Sequence, residues 1–294
     1  MMRGLGPTLH DRFGLVALRF AKRRKPRYEF ERGAEFYQQF FRVDHLEQYE
    51  SDLRMVLRHG EIARVLRGLP PNSRALDLGC GVGHILRILP SGFEVFGVDY
   101  STESLALAQS HLPDKTRLLN TSAYALPFRN RSFDLIICLE VLEHLDDDDR
   151  AVAEIARILR PNGHLITSVP GSYYFPEYRE LMGHFRHYTP DSFSSLLERH
   201  HLRITEFLNS YRRFNFLYFY IYVALEALNL IWNRVTGDSK NIYARTLPFT
   251  RTRIYSGLLA RVLYPLKRID EVSSGQATTF VVAQHVRASN GGMP

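Results

Sequence analysis

A chain of 294 residues, 45% hydrophobic and 23% charged, marks a globular protein with one large domain, or one core domain with additions. The formal net charge is +7, but Ala21-Lys-Arg-Arg-Lys-Pro-Arg27 holds five basic residues and no acid, so the excess is largely local and argues against a uniformly basic nucleic-acid-binding protein. Two cysteines, Cys80 and Cys138, are too few for a disulfide framework and form no Cys-x-x-Cys pair. With no signal-peptide pattern at the start, they suit a reducing, cytoplasmic setting as buried thiols.

Residues 1–33 form a basic arm, either solvated or directed at an anionic membrane surface or a phosphate-bearing substrate. Residues 34–72 predict two helices and a turn. Phe36, Phe40 and Phe41, then Leu53, Val56, Ile62, Val65 and Leu66, recur at helical spacing, and Gly68-Leu-Pro-Pro-Asn-Ser73 stops them. From here to residue 213 short apolar runs alternate with helical patterns. Strands are expected at 74–78, 93–98, 116–119, 133–139, 163–169 and 203–208, with helices between the glycines and Pro90, at 102–111, at 147–159 and after Pro190. A helical insert follows over 214–272, and residues 273–294 supply a closing strand, Thr278–His285, and a tail. Such alternation builds a parallel sheet with right-handed crossovers and helices on both faces, whose ligands bind at the carboxyl ends of the strands.

Asp77-Leu-Gly79-Cys-Gly81-Val-Gly83 follows the first strand, where glycines let the backbone turn tightly and approach a ligand. Dinucleotide enzymes use similar loops, but their third glycine lies three places after the second, where this chain has His84. A carboxylate at Asp77 repels a pyrophosphate and suits an ammonium group. S-adenosylmethionine (SAM) carries the ammonium and no phosphate. Asp99 ends the second strand, where an acid can accept both ribose hydroxyls of a nucleoside, and Ser101 is available to cap the next helix in its place.

Taken in order, Asp77–Gly83, Gly97-Val-Asp99, Ala125-Leu-Pro-Phe128, Ser132–Ile137, Val141-Leu-Glu-His-Leu145 and Leu159-Arg-Pro-Asn-Gly163 resemble a class I SAM-dependent methyltransferase of the type 11 group. The resemblance covers roughly residues 50–205 and the closing strand. It implies an α/β, Rossmann-like seven-stranded sheet in the order 3-2-1-4-5-7-6 with the last strand antiparallel. It also implies that Asp77 and Gly79 hold the methionine end of SAM, that Gly81 and Gly83 line its passage, that Asp99 holds the ribose and that Tyr100 lies against the adenine. Cys80, Ala123 and Leu139 are counted with the cofactor site beside these motifs. One departure is Ser122, which stands where the group usually has an Asp for the adenine amino group, so the adenine contact falls to the serine hydroxyl or nearby backbone.

Glu140-Val-Leu-Glu143-His144 follows the fourth strand, and His144, with Glu143 beside it, is the expected base because an imidazole titrates near neutrality. The same pattern is similar to the metal site of ubiquinone-pathway O-methyltransferases and small-RNA 2′-O-methyltransferases, which implies Glu140, Glu143 and His144 as ligands of a divalent cation. The small-RNA enzymes carry a further histidine shortly after, which is lacking next to Leu145. Asp146–Asp149 reads as a helix N-terminus favoured by its dipole. His184-Phe-Arg-His187-Tyr-Thr-Pro190 resembles a segment of type 11 enzymes of polysaccharide and lipid-head-group pathways, which offers His184, His187 and Arg186 to an acceptor. The alternative is that Thr189-Pro-Asp-Ser merely opens the next helix.

Within the insert, residues 216–225 are an unbroken apolar run flanked by Arg212, Arg213 and Arg234. Glu226 would cost roughly 3 kcal/mol at a bilayer centre. Asn215, Tyr222, Glu226, Asn229 and Asn233 form a polar stripe at helical spacing. A lid over the acceptor site and an interfacial helix, peripheral at the inner membrane face, both fit. The expected function is SAM-dependent O-methylation of a small-molecule, glycan or lipid-linked acceptor. The alternatives are a metal-assisted quinone- or phenol-type O-methyltransferase, an RNA methyltransferase supported by net charge alone, and a non-catalytic SAM-fold protein opposed by the intact glycine loop.

Overall fold

A computed structural model of the protein describes residues 53–171, 179, 183–210 and 278–286. The basic arm, the first predicted N-terminal helix and the insert at 214–272 lie outside these residues. The second N-terminal helix is α1 (Leu53–Leu66). After it come β1 (Arg74–Leu78), β2 (Glu94–Asp99), α2 (Thr102–His111), β3 (Arg117–Asn120), β4 (Phe133–Leu139), α3 (Asp148–Ile158), β5 (Leu159–Pro170), α4 (Pro190–Arg199), β6 (Leu202–Ser210) and β7 (Thr278–His285).

The strands form one seven-stranded sheet in the order β3-β2-β1-β4-β5-β7-β6. The pairings from β3 through β5 are parallel, and β7 runs antiparallel to both β5 and β6. This is the expected α/β, Rossmann-like order. The order reverses between β1 and β4, which opens a crevice at the carboxyl ends of those strands.

Period-two alternation sends neighbouring strand residues into different layers. Leu76, Leu78, Ile136 and Cys138 pack with Val152 and Ile155 of α3 and Phe193 and Leu197 of α4. Ala75, Leu135, Ile137 and Ile166 pack on the other face with Ile62 of α1 and Leu105 and Ala108 of α2. Both cysteines are buried and free, and burial pushes both thiols up, away from reactivity.

The helix starts follow from capping. The Ser101 hydroxyl accepts from the Ser104 N–H at the start of α2, and the Asp147 carboxylate accepts from the Arg150 N–H at the start of α3. Asp148 and Asp149 fill the first turn of α3, where the helix dipole favours negative charge. Thr189 and Ser192 form a reciprocal capping box with Pro190 in the first turn of α4.

One predicted element is corrected. The helix expected between the glycines and Pro90 is a single 3-10 turn, Leu86–Ile88. Gly79, Gly81 and Gly83 each take a positive φ, which breaks the helical run as far as Gly83, and Gly83 N–H closes a turn on the Cys80 carbonyl. Too little chain then remains before the proline to propagate a helix, whose first turn is the costly one.

Candidate active site

The glycine loop is tied down by its own backbone. Gly79 N–H and Cys80 N–H both donate to the Val98 carbonyl, at 2.8 and 3.0 Å, so β1 leaves the sheet pinned to the end of β2. Gly79 has φ +75°, and a Cβ there would stand 2.4 Å from Cγ2 of Val141. Backbone conformation and space therefore both require glycine. Gly81, at φ +50°, faces open space, with no atom within 4 Å of where a Cβ would be.

Asp99 closes β2 and holds the loop. Gly81 N–H donates to its Oδ2 and Ser101 N–H to its Oδ1, each at 2.8 Å. Each carboxylate oxygen keeps a further lone pair, so two hydroxyls can still be accepted. Burial raises the Asp99 pKa, and the Ser101 and Gly81 N–H groups oppose that rise.

Asp77 is different. It is 3% exposed, and its Oδ2 finds no hydrogen-bond partner among the described residues. Burial and the nearby Asp99 charge push its pKa up to about 8. A buried carboxylate left this way is costly, and a cationic ligand group relieves it. An ammonium at Asp77, two hydroxyls at Asp99 and an open glycine loop between them fit a nucleoside that carries an amino-acid tail. The Tyr100 ring is 69% exposed beside Asp99, available to stack on a base. Asn120 of β3 donates from Nδ2 to the carbonyls of Asp99 and Tyr100, which fixes that strand end. The Ser122 hydroxyl accepts from Tyr124 N–H and shapes the turn that carries Ala123. Leu139 ends β4 half-buried.

The other end of the crevice is built from side chains. Glu140 follows β4 at φ +55°, a left-handed conformation that costs a non-glycine residue about 1–2 kcal/mol. Its N–H donates to the Ser168 carbonyl at 2.9 Å. Its Oε1 accepts from Arg58 of α1 at 2.8 Å and from the Ser168 hydroxyl at 2.7 Å. A 3-10 turn, Leu142–His144, then presents Glu143 and His144. Glu143 is fully buried, and neither carboxylate oxygen has a hydrogen-bond partner among the described residues. Burial, reinforced by the Glu140 charge, holds its pKa well above the usual carboxylate range.

His144 and His184 meet edge to face with centroids 4.5 Å apart, and His184 Nδ1 lies 2.9 Å from His187 Nε2. Burial lowers all three imidazoles, His144 to about 4, His184 to about 3 and His187 to about 4, so each is uncharged at neutral pH and the expectation that His144 titrates near neutrality is corrected. Phe185 N–H donates to the Glu143 carbonyl at 2.8 Å, and the Tyr188 hydroxyl donates to Asp148 at 2.7 Å. Arg186 pairs with Asp148 and donates to the Asp146 carbonyl. It anchors the histidine segment to the start of α3.

Residues 76–167 match the family model described as a methyltransferase domain. Over these residues the chain is a class I SAM-dependent methyltransferase domain. A malonyl-[acyl-carrier protein] O-methyltransferase of Methylococcus capsulatus is 36% identical over 115 residues, which are 37% of this chain and 42% of the relative. A ubiquinone biosynthesis O-methyltransferase of Alkalilimnicola ehrlichii is 36% identical over 129 residues, which are 40% of this chain and 51% of the relative. The chain thus spans about half the length of the curated relatives it matches. Haemonchus contortus phosphoethanolamine N-methyltransferase 2, in complex with S-adenosyl-L-methionine, shares the fold with a TM-score of 0.53 at 20% identity, over 78% of this chain and 52% of that one.

In this methyltransferase domain the residues proposed for the cofactor surround the glycine loop and the ends of β2 and β4. Of the expected metal ligands, Glu143 and His144 come together with His184, with ligand atoms within 4.8 Å of one another. Glu140 is engaged by Arg58 and Ser168. Sequence reasoning missed Arg58, Ser168 and Asn120. None carries a local signal, because Arg58 reaches Glu140 from α1, Ser168 reaches it from β5, and Asn120 of β3 acts on the end of β2.

Proposed function

We propose that this chain transfers the methyl group of SAM to an oxygen of a small-molecule acceptor, glycan and lipid-linked molecules included. The observation that carries the reading is the buried, unpartnered carboxylate of Asp77 beside the Asp99-braced glycine loop, the complement of SAM's ammonium and ribose. Names of relatives such as the ubiquinone-biosynthesis and malonyl-carrier O-methyltransferases support an oxygen acceptor.

Asp77 would hold the amino-acid end and Asp99 the ribose, so the sulfonium methyl is aimed along the crevice toward His144. The acceptor oxygen attacks the methyl carbon in line, the carbon–sulfur bond breaks, and its electron pair leaves with sulfur as neutral S-adenosylhomocysteine. The acceptor's proton passes to an uncharged imidazole, His144 in this reading.

The test is to incubate the full chain with methyl-labelled SAM and a panel of phenols, carboxylic acids and sugars, and to follow S-adenosylhomocysteine and labelled product. Acceptor-dependent label transfer, lost in Asp99→Ala, is expected. SAM binding with transfer to amines and to no oxygen acceptor would refute the oxygen assignment, and transfer to RNA alone would refute the small-molecule one. No SAM binding by folded protein would overturn the whole reading.

A further inference from the structure

The end of the sheet opposite the crevice carries a groove that methyl transfer does not use. It lies where the amino ends of β4, β5 and β6 meet the carboxyl end of the antiparallel β7. Its volume is about 360 Å³, which falls in the range of small-molecule sites. Three arginines and three histidines line it, and no acidic residue does so among the described residues.

Two of these six stand where the backbone does not favour them. Arg131 has φ +55° and His201 φ +58°, in the left-handed region where glycine or asparagine is relaxed. Both backbones are tied in place. Arg131 N–H donates to the Arg157 carbonyl at 3.0 Å, and Val286 N–H donates to the His201 carbonyl at 2.9 Å. Both side chains are exposed, and neither has a hydrogen-bond or ion-pair partner among the described residues. The turn before β4 and the turn before β6 thus each bear backbone strain and present a basic side chain to one groove.

The other basic groups are already held. Arg157 uses all five of its donors, on Glu154, on the carbonyls of Leu126 and Phe128 and on Oδ1 of Asn130, so it is a fixed wall. Arg199 gives Nε and Nη2 to Asp149, which leaves Nη1 for a ligand. His200 Nε2 lies 3.1 Å from the same carboxylate, and His285 Nδ1 lies 3.2 Å from the Leu159 carbonyl. Glu154 and Asp149 offset Arg157 and Arg199, so the uncompensated charge is that of Arg131.

We propose that this groove is a second ligand site, for a small soluble phosphate monoester or diphosphate. Arg131 would bring the planar fork that matches two phosphate oxygens, joined by His201 and by Nη1 of Arg199. These donors come from three separate positions, before β4, before β6 and at the end of α4. That suits the several oxygens of a phosphate better than the two of a carboxylate. The site stands independently of the methyl-transfer reading, because it shares no residue with the crevice.

The test titrates the tag-free full chain with pyrophosphate by calorimetry at constant ionic strength. One saturable site per chain is expected, and glycerol 3-phosphate should compete for it. Arg131→Asn and His201→Asn remove the basic group and place a residue that accepts left-handed backbone, so both variants should fold as the native chain does by circular dichroism. Arg131→Asn should weaken pyrophosphate at least tenfold and the double variant at least thirtyfold. Arg129→Asn, which removes an exposed arginine two residues away, should change it less than twofold. Saturating S-adenosylhomocysteine and Asp99→Ala should each leave pyrophosphate binding unchanged. Absence of a saturable site, or an affinity that the double variant leaves within threefold, overturns the proposal. Displacement of pyrophosphate by S-adenosylhomocysteine also overturns it, since the anion would then lie in the crevice.

Discussion

Asp77 and Glu143 are both buried carboxylates with an unpartnered oxygen, but their surroundings differ in kind. Around Asp77 the site is made of backbone. Loop N–H groups bond to Val98, and Gly81 and Ser101 N–H groups bond to Asp99. Around Glu143 the site is made of side chains from α1, the end of β4, β5 and the segment before α4. They are linked through Arg58–Glu140–Ser168 and through His144, His184 and His187. A backbone cradle tolerates change in most side chains and suits the invariant part of the chemistry, the cofactor. A side-chain cluster can be rebuilt by single substitutions and suits the part that varies, the acceptor.

The sharpest way to break this division is His144→Ala. Loss of a general base should lower turnover by about 10²–10⁴-fold and leave the SAM dissociation constant unchanged, as judged by steady-state rates beside calorimetry. If SAM affinity fell in parallel, the two ends would not be separable. Asp99→Ala should do the converse and weaken SAM binding by about 100-fold, the equivalent of two charge-assisted hydrogen bonds. Equilibrium binding reads that directly.

Smaller effects probe the scaffolds themselves. Gly79→Ala meets both the left-handed backbone and Val141, and should destabilise the fold by about 2 kcal/mol in urea titration. Adding Val141→Ala should recover the steric part and not the backbone part. Arg58→Ala should cost about 1 kcal/mol, because the pair with Glu140 is only partly buried and Ser168 remains as a partner.

The same division explains what was legible in the sequence. Asp77, the glycines, Asp99 and the Ser101 cap lie in short contiguous stretches whose spacing reports their geometry, and the bounds of β4 and β7 follow from apolar runs ended by polar residues. His184 and His187 could be named as candidates, but their contact with His144, some forty residues earlier, depends on how Arg186 and Tyr188 dock on Asp148. The 3-10 turn in place of a helix before Pro90 was hidden because Ile85, Leu86 and Leu89 are buried in any case, so the apolar pattern does not distinguish the two. Arg58 lies on a helix, and neither its spacing nor its charge marks it as the partner of Glu140.

Asp77 offers the most direct measurement. In the unliganded chain it binds a proton up to about pH 8, more tightly than an unfolded aspartate does. Its contribution to stability therefore falls as pH rises from about 4 to about 8. An ammonium at this carboxylate requires the charged form, so SAM binding at pH 7 should release close to one proton and tighten as pH approaches 8. Calorimetric titration with SAM in two buffers of different ionisation enthalpy measures that release. Proton release in the native chain, abolished together with most of the affinity in Asp77→Asn, is the expected result. SAM binding with no proton released, and unchanged in Asp77→Asn, would contradict the assignment of Asp77 as the seat of the cofactor's ammonium.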